Sequence, residues 1–262
     1  VLQGTVSAVG SRHESAPGAA DAIVTLGSLT LTPLRLERVV RVDPASPQVE
    51  VEGTAYVSER AGWAPLPRDL PIAAAIDVLD VCAAASQVRA LARPGQTVLV
   101  LGVGHAGKLA LAAAREVAVG GTLVAADVDR AELDRISGLG LCDVAVVTDL
   151  RDPLAAAAAL EAAGVPPADL TVVVVNATGC ESAAILATAS GGSVLFFSMA
   201  TSFPAAALAA DGIGTDVRMR IGSGYSPDRG EYALELVRGR ADLREALGIP
   251  AAAAVGERGA GA

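Results

Sequence analysis

From residue 97 onward the chain alternates between six short strand-like runs and intervening helix-like runs. Of the former, "TVLVLG", "TLVAAD", "DVAVVT", "LTVVVVN" and "SVLFFS" are apolar in sequence rather than at every second position, and "DVRMRIG" is the sixth. A strand without alternation has no face left for water, so both sides of its sheet must be covered, and helices on two sides of a parallel sheet supply that cover. The helical runs fall at residues 105–117, 129–136, 153–163, from 181, near 205 and at 228–238. With 262 residues, 52% of them hydrophobic, the chain can bury a core of this kind.

The first strand runs into "GVGHAG", so that Gly102, Gly104 and Gly107 form G-x-G-x-x-G between a strand and the opening of a helix. The first glycine permits the tight turn, the second lets backbone approach a pyrophosphate, and the third lets the helix pack closely. The helix then offers its unpaired N–H groups, including those at His105 and Ala106, to the anion. A lone glycine motif is weak evidence, but here "TLVAAD" ends in Asp127 at the spacing expected of a carboxylate that binds the adenosine ribose and repels a 2′-phosphate. These features predict an α/β fold with a doubly wound, six-stranded parallel Rossmann sheet that takes NAD. Arg130 is the rival feature, a cation suited to the 2′-phosphate of NADP, but Val128 directly after Asp127 supplies none. Asn176 and Ser198 close two further strands at their carboxyl ends, where ligands bind in such sheets. They are read as cofactor-binding candidates, although polar residues are ordinary in strand exits.

Before residue 70 the segments are short, β-like and broken by Gly and Pro. In "QVEVEGTAYVSE", Val49 and Val51 alternate with Glu50 and Glu52 as on a half-buried strand. Residues 1–70 are therefore read as a β-rich domain. Residues 71–250 are read as a connecting helix (71–91) followed by the Rossmann domain, and the low-complexity stretch 251–262 as a flexible tail. The net charge of −9 opposes nucleic acid and anionic membrane surfaces as partners. No apolar run reaches the roughly 20 residues of a membrane span, which together with the absence of a leader pattern gives the expectation of a cytoplasmic protein. Cys82, Cys142 and Cys180 have neither disulfide nor zinc-type spacing, so no metal is assigned.

A β-rich first part joined by a helix to a six-stranded Rossmann domain resembles the medium-chain dehydrogenase/reductase (zinc-type alcohol dehydrogenase-like) superfamily, whose first half is a GroES-like catalytic domain. Within that superfamily "SLTLTPL", "LDVC", "VLVLGVGHAGKL", "FFSMATSF", "AAALAADGIGTDV" and "IGSGY" are similar to the L-erythro-3,5-diaminohexanoate dehydrogenase family, and the similarity runs from about residue 4 to 247. Members carry a longer GroES-like domain. The first part of it is expected to be absent from this chain, taking part of the catalytic pocket with it and leaving apolar surface exposed where it would pack.

The resemblance implies NAD-dependent oxidative deamination of a small diamino acid, a step of lysine degradation, by a homodimer or higher homo-oligomer. A hydride leaves readily only from a neutral amine, so a base must first take a proton from the ammonium. The second ammonium requires a carboxylate. Three candidates follow. Asp80 in "LDVC" can bind an ammonium or act as base, or be a charge on a solvated helix face. Glu181 opens a helix, where the dipole alone also favours a carboxylate. Cys82 stands where zinc-dependent members keep a ligand, but a small buried hydrophobe is the stronger reading. Of the two histidines, His105 lies inside the glycine loop and His13 in a loop after a strand; Tyr225 lines a pocket or an oligomer contact. Two other readings stay open: an NADPH-dependent medium-chain alcohol or quinone reductase, and a non-catalytic dinucleotide-binding paralogue.

Overall fold

The computed structural model describes residues 1–11, 17–44, 46–222, 228 and 230–250. His13, Tyr225 and the tail at 251–262 lie outside the described residues. The chain divides into two compact units between Asp80 and Val81. This boundary falls ten residues beyond the sequence expectation of 70, because the first helical segment groups with the β-rich part.

In the first unit β1 (Gln3–Thr5), β2 (Ala22–Thr25) and β5 (Trp63–Pro65) make an antiparallel sheet in the order β1-β2-β5. A second pair, β3 (Leu34–Val42) and β4 (Val49–Ala55), forms a separate antiparallel ribbon. The alternation along β4 does sort its residues: Leu34, Leu36, Val39 and Val42 face Ala55, Gly53, Val51 and Val49, while Arg38 faces Glu52. Two bulges along β3 keep that sorting in step despite consecutive valines. The expected half-burial is not met, however. Leu36 is 57% and Val42 62% exposed, because a two-stranded ribbon is a single layer and no second layer covers its apolar face among the described residues. Beside it opens an apolar groove of about 650 Å³, lined by Leu2, Val6, Leu34, Val51 and Trp63 among others.

The single helix expected over 71–91 is two helices, α1 (Ile72–Asp80) and α2 (Cys82–Leu91). Val81 leaves helical geometry, with φ −119° and ψ 13°.

The second unit holds six parallel strands: β6 (Thr97–Leu101), β7 (Thr122–Asp127), β8 (Val144–Val147), β9 (Ala168–Val173), β10 (Thr188–Phe196) and β11 (Arg218–Ile221). Their order is β11-β10-β9-β6-β7-β8, so the chain starts in the middle, winds outward to β8 and then returns to the other side of β6. That reversal places the topological switch point between β6 and β9, and ligands of such sheets bind outside the carboxyl ends of the strands there. α3 (His105–Val117) shows why the motif sits firmly: residues 107–114 are buried, and the helix packs on α2 as well as on β6 and β7. Burying Leu109 and Leu111 contributes about 1.5–3 kcal/mol each.

Local chemistry starts the other helices. α4 (Arg130–Gly138) and α5 (Pro153–Ala162) are N-capped by Asp129 and Asp152, which accept from Glu132 N and Ala155 N at 3.0 Å. α6 (Glu181–Leu186) and α7 (Phe203–Ile213) follow β9 and β10, and α8 (Glu231–Gly239) and α9 (Ala241–Ala246) close the unit. The strand read over 170–176 stops at Val173, because Val174 N and Val175 N turn aside and both donate to Leu101 O, at 3.0 and 2.9 Å.

Candidate dinucleotide site

The three glycines meet different surroundings. Gly102 lies at φ +102°, and a Cβ on it would come 2.7 Å from Val175 N, so only glycine allows β6 to turn against the exit of β9. A Cβ on Gly107 would come 2.0 Å from Gly102 O, which fixes how closely α3 starts behind the loop. Gly104 has nothing within 4 Å of that position and faces open space. It is also the N-cap of α3, and having no side chain it leaves the first N–H groups of the helix without a cap hydrogen bond. An open approach, a bare helix N-terminus and a small residue at the point of closest contact are what a pyrophosphate requires. His105 is exposed and Ala106 half-buried on that first turn.

Asp127 ends β7 beside this loop. Its carboxylate accepts from Val103 N at 2.8 Å and from Asp129 N at 3.1 Å, which ties the glycine loop to the chain leading into α4. A carboxylate has about four acceptor positions, so two remain for ribose hydroxyls. Arg130 is exposed on the first turn of α4.

Sequence reading overlooked a second tie between the same two segments. Lys108, the chain's only lysine, is 7% exposed and its Nζ lies 2.6 Å from a Glu132 carboxylate oxygen, which Arg135 also approaches at 3.0 Å. Burial pushes the Glu132 carboxyl up, but the hydrogen bonds from Arg135 and Lys108 outweigh it and leave it below its ordinary value. A lone lysine directly before six apolar residues was the available signal.

Asn176 is exposed just past β9. Ser198 is half-buried past β10, where its N donates to Val173 O at 3.1 Å and its Oγ accepts from Ala200 N at 3.1 Å. The glycine loop, Asp127, Asn176 and Ser198 thus lie along the carboxyl edge of one sheet. Glu181 is 4% exposed at the start of α6 and accepts from Ser202 N at 2.6 Å. Cys82 is buried at the start of α2, while Asp80 ends α1 with its side chain 57% exposed. Burial pushes the thiols of Cys142 and Cys180 up, away from the reactive thiolate form. Among the described residues no group of three His, Cys, Asp or Glu side chains could hold a metal ion, and no helix is long and apolar enough to cross a membrane.

The doubly wound sheet, with an open glycine turn and a carboxylate at the end of the neighbouring strand, defines a Rossmann-type α/β protein with a β-rich companion unit. The family model of the L-erythro-3,5-diaminohexanoate dehydrogenase N-terminal domain matches residues 1–67. L-erythro-3,5-diaminohexanoate dehydrogenase of Fusobacterium nucleatum is 38% identical over 230 residues, covering 86% of this chain and 66% of that protein. The protein of the same name from Acetoanaerobium sticklandii is 34% identical over 243 residues, covering 91% and 71%. The chain belongs to this family, and it spans about two thirds of the length of these relatives. Among solved structures, an alcohol dehydrogenase from Escherichia coli CFT073 complexed with NADH superposes with TM-score 0.59 at 16% identity, covering 90% of this chain and 71% of its own. A protein described as a zinc-binding dehydrogenase from Clostridium scindens gives 0.58 at 17%, covering 90% and 68%. These likenesses show that the chain shares the fold of dehydrogenases of known structure.

Proposed function

We propose that the protein is an NAD-dependent oxidoreductase that deaminates L-erythro-3,5-diaminohexanoate to 5-amino-3-oxohexanoate and ammonia. The observation that carries the reading is the open approach at Gly104 beside the Asp127 carboxylate, in a chain of this family. When bound, the nicotinamide accepts the hydride from the carbon that bears the 3-amino group. The backbone at Gly104, His105 and Ala106 holds the pyrophosphate. Asp127 accepts from the ribose hydroxyls and repels a 2′-phosphate, which selects NAD over NADP. Asn176 and Ser198, at the exits of β9 and β10, serve the nicotinamide half. Loss of hydride from the neutral amine leaves an iminium ion on the substrate. Water adds to it, and ammonia leaves with the carbon now a ketone. Of the carboxylates named from sequence, Asp80 is exposed at the end of α1, whereas Glu181 already serves a backbone amide.

The test supplies the diamino acid and NAD to purified protein, expressed from its complete reading frame, at alkaline pH, where the amine with its ordinary pKa near about 10 is partly neutral. NADH is expected to form. Bound cofactor without NADH formation overturns the substrate. Tighter NADPH than NADH binding would favour the reductase reading that exposed Arg130 supports, and cofactor binding with no turnover of any amine or alcohol would favour a non-catalytic paralogue.

A further inference from the structure

The residues between β10 and α7 form a short exit loop held at two points. At its start Phe197 N and Ser198 N both donate to Val173 O, at 2.9 and 3.1 Å. Within it the bonds are local, from Ala200 N to Ser198 Oγ at 3.1 Å and from Thr201 N to Ser198 O at 3.4 Å. At its end Ser202 N-caps α7 and accepts from Ala205 N at 3.4 Å. In a capping box the residue three places after the cap, a Glu or Gln, reaches back to the cap's own N–H. Here that place is Ala205, whose methyl group cannot.

Glu181 makes the missing bond from another helix: its Oε1 accepts from Ser202 N at 2.6 Å, and the residue is 4% exposed. The box is split between α6 and α7. A negative charge at the α7 N-terminus is favoured by the helix dipole, and a charged acceptor makes the stronger hydrogen bond. α7 has separate anchors in the Phe203 ring, edge-on to Phe196 at 6.5 Å between centroids, and in buried Ala206. What Glu181 alone adds is the fixed end of residues 198–202.

We propose that Glu181 is a positioning residue that sets the exit loop of β10, with Ser198 at its head, for the nicotinamide half of the cofactor. The proposal rests on the dinucleotide reading above and gives the acid a role through the loop rather than on the substrate. It also accounts for a buried carboxylate whose hydrogen-bond partner is a backbone amide.

Three variants test it, with NADH bound by fluorescence titration and AMP by calorimetry. AMP occupies only the adenosine end at Asp127, so it reports damage to the rest of the site. Glu181→Ala is expected to weaken NADH about tenfold and leave AMP within about twofold. Glu181→Gln, which keeps the acceptor and loses the charge, is expected to lose about threefold. Ala205→Glu added to Glu181→Ala rebuilds the box within α7 and is expected to recover most of the NADH affinity. NADH affinity unchanged in Glu181→Ala, a parallel loss of NADH and AMP, or no recovery in either Gln or the double variant overturns the positioning role. Wild-type protein that binds neither ligand overturns the dinucleotide reading and this proposal with it.

Discussion

Replacing Gly104 and Gly107 one at a time separates ligand approach from packing in the glycine loop. Gly104 has φ −64° and ψ −169°, which any residue adopts, and nothing lies within 4 Å of a Cβ there. Alanine then costs the folded state nothing and restricts the unfolded chain, a gain of about 0.4–1 kcal/mol. At about 2–4 °C per kcal/mol for a unit of this size, Tm is expected to stay level or rise by about 1–4 °C. The new methyl group stands where the pyrophosphate must meet backbone, so NADH affinity is expected to fall at least about tenfold. Gly107 is the opposite case. Its Cβ would sit 2.0 Å from Gly102 O, and the loop must open by about 1 Å before that contact reaches even 3.0 Å. Overpacking of this kind costs about 1–3 kcal/mol, which lowers Tm by about 2–12 °C. NADH titration and differential scanning calorimetry on the two variants read both quantities. Full NADH affinity in Gly104→Ala would refute the placement of the pyrophosphate, and an unchanged Tm in Gly107→Ala would refute the packing argument.

Asp127→Ala is expected to weaken NADH about tenfold and to narrow or invert its preference over NADPH, while the orphaned Val103 and Asp129 amides cost about 1–2 kcal/mol of stability. Paired titrations check it, and an unaltered preference would mean that the carboxylate does not face the ribose. Lys108→Met leaves Glu132 with Arg135 alone and is expected to cost about 1–3 kcal/mol by thermal melting. The same carboxylate gives a pH dependence with a defined sign. Its folded value lies below the ordinary 4.5, so its contribution is complete above that value and is lost as pH falls through the folded one. The Tm gap between wild type and Glu132→Gln is therefore expected to be widest near neutrality and to close in acid; a gap independent of pH would contradict it.

The order of the six strands and of the helices between them, the glycine loop and Asp127 were legible without coordinates. They rest on the period of apolar residues and on turn chemistry, which act between residues close in sequence. His105–Val117 and Thr122–Asp127 fall where the pattern placed them. The alternation along Val49–Ala55 correctly sorted apolar from charged side chains, yet burial was not in the pattern, because burial depends on what lies across from a face. The break at Val81 was equally hidden in a run whose apolar residues keep helical spacing across it.

The tertiary structure alone decided which polar atoms meet. Glu181 reads in one dimension as a candidate reactive carboxylate or as a charge favoured by the helix dipole, and is bonded to the Ser202 amide in three; the residue that explains this, Ala205, carries no signal in the sequence. Lys108 and Glu132 are 24 positions apart and close only because β6 and β7 pair in register. Sequence fixes what each residue can offer locally, whereas its partner is set by long-range packing, since a hydrogen bond or ion pair is satisfied by whichever group the fold brings within about 3 Å.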